Sequence, residues 1–325
     1  MIKGLKFSKI NFLPFLPAIP LLYFLVLYCY CAVQHITYPF ELEWLEGDVA
    51  VYSIRILDGE PLYPDPEQGY VPYLYPPFYQ YVMAGLFGIF GVELGVGRAL
   101  SFLASLGTAI FIFLIVYNWT RSKPAGLLAG LFYFAFYKVA GFWYDLVRVD
   151  SMAWFLAIAT VYLLCKKDRK TWQIALGGVL SILALLTKQS TAVILVGAIL
   201  FLLITDLSRA RLFVLIFVIV LVNSFWLLSH GENSWFAKYY YLIPLKLPVF
   251  WKEQGSRLWP ELFKNIFLLL VLATGWVTGS VIMKRYRVQL VWLGMFALST
   301  VAALLPFVNI GGYVNNFIPL LCFLL

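Results

Sequence analysis

The sequence predicts an all-α polytopic membrane protein: a bundle of about ten transmembrane helices whose first outer loop contains an interfacial helix. Three observations predict it. Of 325 residues, 62% are hydrophobic and only 12% charged, where a soluble domain carries about 25% charged residues. Apolar runs able to cross a hydrocarbon core of roughly 30 Å recur from one end to the other. The charges are also segregated, with Lys and Arg gathered in short loops between alternate runs.

The first apolar run, Phe12 to Val33, is too long for a signal-peptide core and lacks a small-residue cleavage site after it, so it reads as a signal anchor. Lys3, Lys6 and Lys9 precede it and place the N-terminus in the cytoplasm. Residues 35–97 then form the first outer loop. Its stretch from Glu41 to Pro77 holds Glu41, Glu43, Glu46, Asp48, Asp58, Glu60, Asp65 and Glu67 against one arginine, Arg55.

Two helices are predicted next, Phe78 to Gly95 and Arg98 to Trp119. If both crossed, the basic loops Arg121/Lys123, Lys166/Lys167/Arg169/Lys170, Arg209/Arg211 and Lys284/Arg285/Arg287 would all lie outside, against the positive-inside rule. If only one crosses, all four lie inside. Phe78–Gly95 is short, glycine-rich and preceded by Pro76-Pro77, so it is laid in the outer interface, anchored by Tyr79 and Tyr81. The remaining spans are Arg98–Trp119, Pro124–Phe142, Val147–Cys165, Trp172–Thr187, Thr191–Ile204, Leu212–Ser229, Leu262–Met283, Val288–Phe307 and Phe317 onward. Residues 230–261 make a second large outer loop, and the whole chain, 1–325, is one transmembrane domain. The last run, Phe317 to Leu325, is about half a span, so the chain reads as cut short or its last helix as partial.

With this register every acid except Asp168 and Asp206 lies outside. Asp and Glu do not determine orientation, so the asymmetry is independent of the one that set the topology, and the outer face is where a site is expected. The net charge of +8 does not indicate nucleic acid, because the basic residues make no continuous stripe. Cys29, Cys31, Cys165 and Cys322 all lie in apolar runs and read as packing residues.

The outer loops bring together Glu43, Glu46 and Asp48; Asp145, Arg148 and Asp150; Lys188; and Tyr313 with Asn315. Glu43 and Glu46 share a helix face by i, i+3 spacing. Asp145 and Arg148 have the same spacing, which suits either a local ion pair or a site. Asp150 beside Ser151 suits a helix cap equally well, and Lys188 suits a snorkelling side chain. Ionisable groups this close to hydrocarbon are costly and are functional candidates by default. A carboxylate there can deprotonate an acceptor hydroxyl. A Lys or Arg at the same depth can stabilise a lipid-linked phosphate as leaving group.

The stretch Glu46-Gly-Asp-Val-Ala-Val-Tyr-Ser-Ile-Arg55, continuing through Gly59 to Tyr75-Pro76-Pro77, resembles the first outer loop of the GT-C membrane glycosyltransferases. The family-39-type enzymes are the branch it is most similar to, with the protein O-mannosyltransferases and the lipid A aminoarabinose transferase among them. Arg148-Val149-Asp150 resembles that family's second acidic loop, Leu186-Thr187-Lys188 its lysine hairpin, and Gly311-Gly312-Tyr313 with Asn315 a late outer-loop motif. Two positions depart from the pattern. Leu45 stands where the family has the Asp of an Asp-Glu pair, so Glu46, Glu43 or Asp48 must substitute. Tyr75 replaces the family's Lys before Pro-Pro and throws the phosphate role onto Lys188 or Arg148.

The resemblance implies a GT-C-like bundle in the plasma (inner) membrane. It also implies a glycosyltransferase that moves a hexose or pentose from a polyprenyl-phosphate donor to a lipid, glycan or protein acceptor on the extracytoplasmic side. Glu46 or Asp48 would be the base, with Glu43 a supporting acid. Asp150, Arg148, Lys188, Arg55, Tyr75, Tyr313 and Asn315 would contact substrate. No cofactor is required by the resemblance; Mg²⁺ or Mn²⁺ could be ligated by the acids, though no spacing demands it. The competing readings are a transporter or lipid-carrier flippase, which would place charges near the midplane and show internal repeats, and a non-catalytic subunit of a polysaccharide assembly system. No internal repeat is present.

Overall fold

A computed structural model describes residues 13–166, 168–282 and 286–324. Lys3, Lys6, Lys9, Lys167, Lys284 and Arg285, which carried part of the topology argument, lie outside the described residues. Thirteen α-helices follow one another: α1 (Ala18–Thr37), α2 (Leu45–Leu57), α3 (Phe78–Phe90), α4 (Leu94–Thr120), α5 (Lys123–Ala135), α6 (Val149–Cys165), α7 (Thr171–Leu185), α8 (Ala192–Thr205), α9 (Leu207–Leu228), α10 (Trp251–Leu258), α11 (Lys264–Ile282), α12 (Tyr286–Phe307) and α13 (Ile318–Phe323). Ala18–Thr37, Leu94–Thr120, Leu207–Leu228 and Trp251–Gly279 each have the length and apolar composition to cross a membrane. The protein is a multi-pass membrane protein.

Alternation of helix direction sorts the loops into two poles. One carries the C-terminal ends of α1 and α7, the N-terminal ends of α4 and α6, and both α2 and α3, because His35, Glu46, Arg98, Val147 and Lys188 meet there. The opposite pole carries Arg121 and Lys123 between α4 and α5, Arg169 between α6 and α7, and Arg209 after α8. Arg169 reaches Thr205 there at 3.0 Å, and Arg209 pairs with Asp206 at 3.2 Å. Acidic and basic loops therefore occupy opposite ends of one bundle.

The core is made where α4, α5, α6, α7 and α8 pack on one another, and α6 is its axis. Its mean composition is apolar all round, and most of its residues from Val149 to Cys165 are buried, the pattern of a helix enclosed by others. Small residues let the neighbours approach: a Cβ on Gly130 would meet the carbonyl oxygen of Ala109 at 2.9 Å, and one on Gly126 that of Phe113 at 2.9 Å. α9 is the reverse case, with Ala210 and Phe213 its buried residues, so its apolar surface faces outward as lipid-facing helices do.

The helix predicted over Phe78–Gly95 forms over Phe78–Phe90, 13 residues, or about 20 Å. Gly91, at a positive φ of 89°, ends it. It packs along α2 at the acidic pole. Tyr79, read above as an interfacial anchor, is instead fully buried, while Tyr81 is exposed. Positions two apart on a helix point about 200° from one another, so Tyr79 and Tyr81 cannot face one surface.

Candidate active site

The acidic pole is built around one buried ion pair. Glu46 and Arg98 are both fully buried. Arg98 donates from Nη2 to Glu46 Oε2 at 2.6 Å and from Nε to Oε1 at 3.1 Å. Its other N–H groups go to the carbonyl oxygens of His35 (2.8 Å), Tyr38 (2.6 Å) and Phe40 (2.6 Å). The backbone amides of Val147 and Leu42 complete the Glu46 carboxylate at 2.9 and 2.7 Å. Every donor of the guanidinium is used, and each carboxylate oxygen has two partners. Burial alone would raise the Glu46 carboxyl, but the Arg98 hydrogen bonds and the two amides outweigh it and hold it below the usual range. The pair ties the C-terminal end of α1, the start of α2, the first turn of α4 and the strap before α6 at a single point.

Asp48 lies two residues further along α2 and so on another face. It lines a small cavity with Tyr52, Tyr73, Tyr75, Gln80 and Arg148. Its charge and hydrogen bond act on the Tyr73 hydroxyl, which burial first, and Asp48 second, push up to about 12. The Tyr52 hydroxyl accepts the Tyr73 amide at 2.8 Å, so the aromatic wall is fixed to α2.

Arg148 lines the same cavity. Its Nη2 donates to the Tyr75 hydroxyl at 3.1 Å and its Nη1 to Glu43 Oε2 at 2.9 Å. Its guanidinium stacks on Trp143 at 4.5 Å, and Trp143 in turn packs against Tyr313, ring centroids 5.5 Å apart. The local ion pair between Asp145 and Arg148 does not form. Nor do Glu43 and Glu46 act on one face: α2 begins at Leu45, and the two acids turn to different arginines.

The family model for dolichyl-phosphate-mannose-protein mannosyltransferases matches residues 75–240, just over half of the chain, and takes in Tyr75, Arg98, Arg148, Asp150 and Lys188. The chain belongs to this mannosyltransferase family. Among solved structures it is similar to ArnT from Cupriavidus metallidurans bound to undecaprenyl phosphate, with a TM-score of 0.63 at 17% identity over 94% of this chain and 59% of that one. It is similar also to ArnT from the same organism in the apo state, with a TM-score of 0.61 at 18% identity over 93% and 59%. The mannosyltransferase-family chain thus has the GT-C fold expected of it, and spans about three fifths of ArnT's length. No curated protein matches it.

Three further residues carried over from the sequence come together in a closed cluster. Lys188 Nζ donates to Asp150 Oδ1 at 2.6 Å and to Asn316 Oδ1 at 3.1 Å, and Asn315 Nδ2 donates to Asp150 Oδ1 at 3.0 Å. All four are buried, and they link the first turn of α6, the α7–α8 turn and the segment before α13. Lys188 is therefore bonded within the protein, neither snorkelling nor open to a ligand. Removing one partner of such a pair strands a buried charge and costs about 3–5 kcal/mol, whereas replacing both costs far less. We expect Lys188→Met alone to lower the thermal transition sharply and Asp150→Asn/Lys188→Met to recover most of the loss, as read by unfolding in detergent.

Arg55 serves the first loop itself. It pairs with Glu60 at 2.6 Å, donates to the Pro61 carbonyl at 3.2 Å and covers the Tyr70 ring at 3.7 Å, away from the cavity. Sequence reasoning missed Arg98; Asp145, read there as a partner for Arg148, instead accepts from the Tyr137 hydroxyl at 2.6 Å and lies 2.7 Å from His35 Nδ1. The Tyr144 carbonyl beside it accepts from Ser105 and Ser151, both at 2.7 Å. These bonds fix the strap that delivers Val147 to Glu46 and Arg148 to the cavity. Gly141 (φ 69°) turns that strap, where a Cβ would meet Val314 at 2.6 Å. Among the described residues no three His, Cys, Asp or Glu side chains converge as a metal cluster.

Proposed function

We propose that the protein transfers a sugar from a polyprenyl-phosphate donor to an acceptor hydroxyl, with the site on the extracytoplasmic face. Membership in the mannosyltransferase family and the ArnT-like fold support the reaction class. Basic loops at one pole and carboxylates at the other, taken with the positive-inside rule, support the sidedness. The observation that carries the residue assignment is that Asp48 and Arg148 both line one small cavity, while Glu46 and Asp150 are each bonded to an interior cation.

In this reading Asp48, not Glu46, is the base. The acceptor hydroxyl gives its proton to the Asp48 carboxylate as its oxygen bonds to the anomeric carbon. The bond from that carbon to the phosphate oxygen breaks, and its electron pair leaves with the polyprenyl phosphate. Arg148 stabilises the charge that develops there, in a partly water-excluded site where such a contact is worth more than in water. Tyr75 supplies a neutral hydroxyl where relatives of the family resemblance have a lysine, so Arg148 bears the phosphate role alone. Tyr313, exposed beside the buried Trp143, offers a ring face against which a sugar can stack.

The test is release of labelled sugar from a panel of polyprenyl-phosphate sugars by the purified protein in nanodiscs, with wild type beside Arg148→Gln and Arg148→Lys. A charged hydrogen bond contributes about 1.5–3 kcal/mol, so Arg148→Gln should raise the donor KM about 10- to 100-fold. Lysine should restore only part of it, lacking the planar fork. Release from no donor, or an unchanged KM in Arg148→Gln, would contradict the reading and favour a transport or scaffold role.

A further inference from the structure

The ion pairs of the acidic pole are not alike. Glu46 is held by two guanidinium bonds and two backbone amides from separate elements, and Asp150 by a lysine and an asparagine, both on Oδ1, in a buried cluster. Glu43 has fewer contacts than Glu46 and is less buried than either. One contact to Arg148 Nη1 at 2.9 Å and one to the nearby Leu45 amide at 3.1 Å both fall on the same oxygen, Oε2. It sits on the irregular connection of residues 38–44, outside any helix. Its side chain is 14% exposed against 4% for the arginine, which puts the carboxylate on the solvent side of the pair.

The energetics run the same way. Burial raises the Glu43 carboxyl and the pull of Arg148 does not bring it back, the reverse of Glu46. The carboxylate is thus held at a cost in desolvation that its contact with Arg148 does not fully offset. The other direct contacts of Arg148 are the Tyr75 hydroxyl and the Trp143 ring, and the Asp150 carboxylate acts on it through space while bonded to Lys188.

We infer that Glu43 is a built-in competitor for the anion site at Arg148: in the ligand-free chain its carboxylate holds the guanidinium edge that a lipid-linked phosphate takes, and binding requires Glu43 to swing away. The inference rests on the reading of Arg148 as the phosphate contact. It makes the site closed to solvent anions at rest and opened by an anion that brings further contacts, as a polyprenyl tail in the membrane does. The Glu43 side chain is the moving part, while the backbone around it stays tied to the Glu46–Arg98 anchor through Tyr38, Phe40 and Leu42.

A site occupied by its own carboxylate binds ligand more weakly by the fraction of time it is free. Undecaprenyl phosphate binding to the protein in nanodiscs, followed by tryptophan fluorescence, is the probe, since Trp143 lies on Arg148. Glu43→Gln and Glu43→Ala should each bind about tenfold more tightly than wild type, corresponding to a site free about one tenth of the time, and the gain should vanish in Glu43→Gln/Arg148→Gln. If Arg148→Gln loses binding while both Glu43 variants bind no better than wild type, Glu43 is a fixed support and the inference fails with the Arg148 reading intact. If Arg148→Gln binds as wild type does, that reading fails and the inference with it.

Discussion

Replacing Asp48 by asparagine should lower the rate of sugar transfer by about 10²- to 10⁴-fold, the contribution of a positioned general base, and leave the fold intact. The two halves of the expectation have separate causes. Asparagine keeps the size and hydrogen-bonding reach of the side chain but cannot take a proton at pH 7, so the acceptor hydroxyl must attack unassisted. Asp48 is half-buried at the cavity wall and no ion pair depends on it among the described residues. Turnover at saturating donor checks the first half, and the thermal transition the second.

Glu46→Gln should do the opposite. Its effect is on folding before it is on chemistry, because Arg98 would keep a full charge in a site with no solvent. Breaking a buried pair in this way costs about 3–5 kcal/mol, and here the loss also releases the Val147 amide that aims the strap carrying Arg148. Glu46→Gln/Arg98→Met, which removes both charges, should regain much of that stability. If Glu46→Gln unfolds as wild type does and only turnover falls, the buried pair is not the anchor described here.

The fold was legible because its signals are one-dimensional. Apolar runs, the lysines and arginines between alternate runs and the shortness of Phe78–Gly95 are local properties, and each survives without knowledge of what packs against it. The residues of the site were legible as types for the same reason: Asp48, Arg148, Lys188 and Asp150 stand out as charges beside apolar segments.

Their partners were not. Glu46 finds Arg98 across 52 positions, Arg148 finds Glu43 across 105 and His35 finds Asp145 across 110, and no periodicity connects such pairs. That is why Glu46 and Asp48 stood as equal candidates in the sequence and separate in the structure, one enclosed and one at a cavity. Arg98 had a signal that was passed over. It lies near the start of a long apolar helix, where a charged residue needs a partner, and the stretch from Glu41 to Pro77 before it holds eight acids to one arginine.

The central claim is that Asp48 acts on the acceptor while Arg148 acts on the phosphate. Single-turnover transfer from a labelled polyprenyl-phosphate sugar, measured together with undecaprenyl phosphate binding on the same Asp48→Asn sample, tests it most directly. The account predicts that binding stays within about threefold of wild type while transfer falls by at least about 10²-fold. Transfer at the wild-type rate by Asp48→Asn would contradict it.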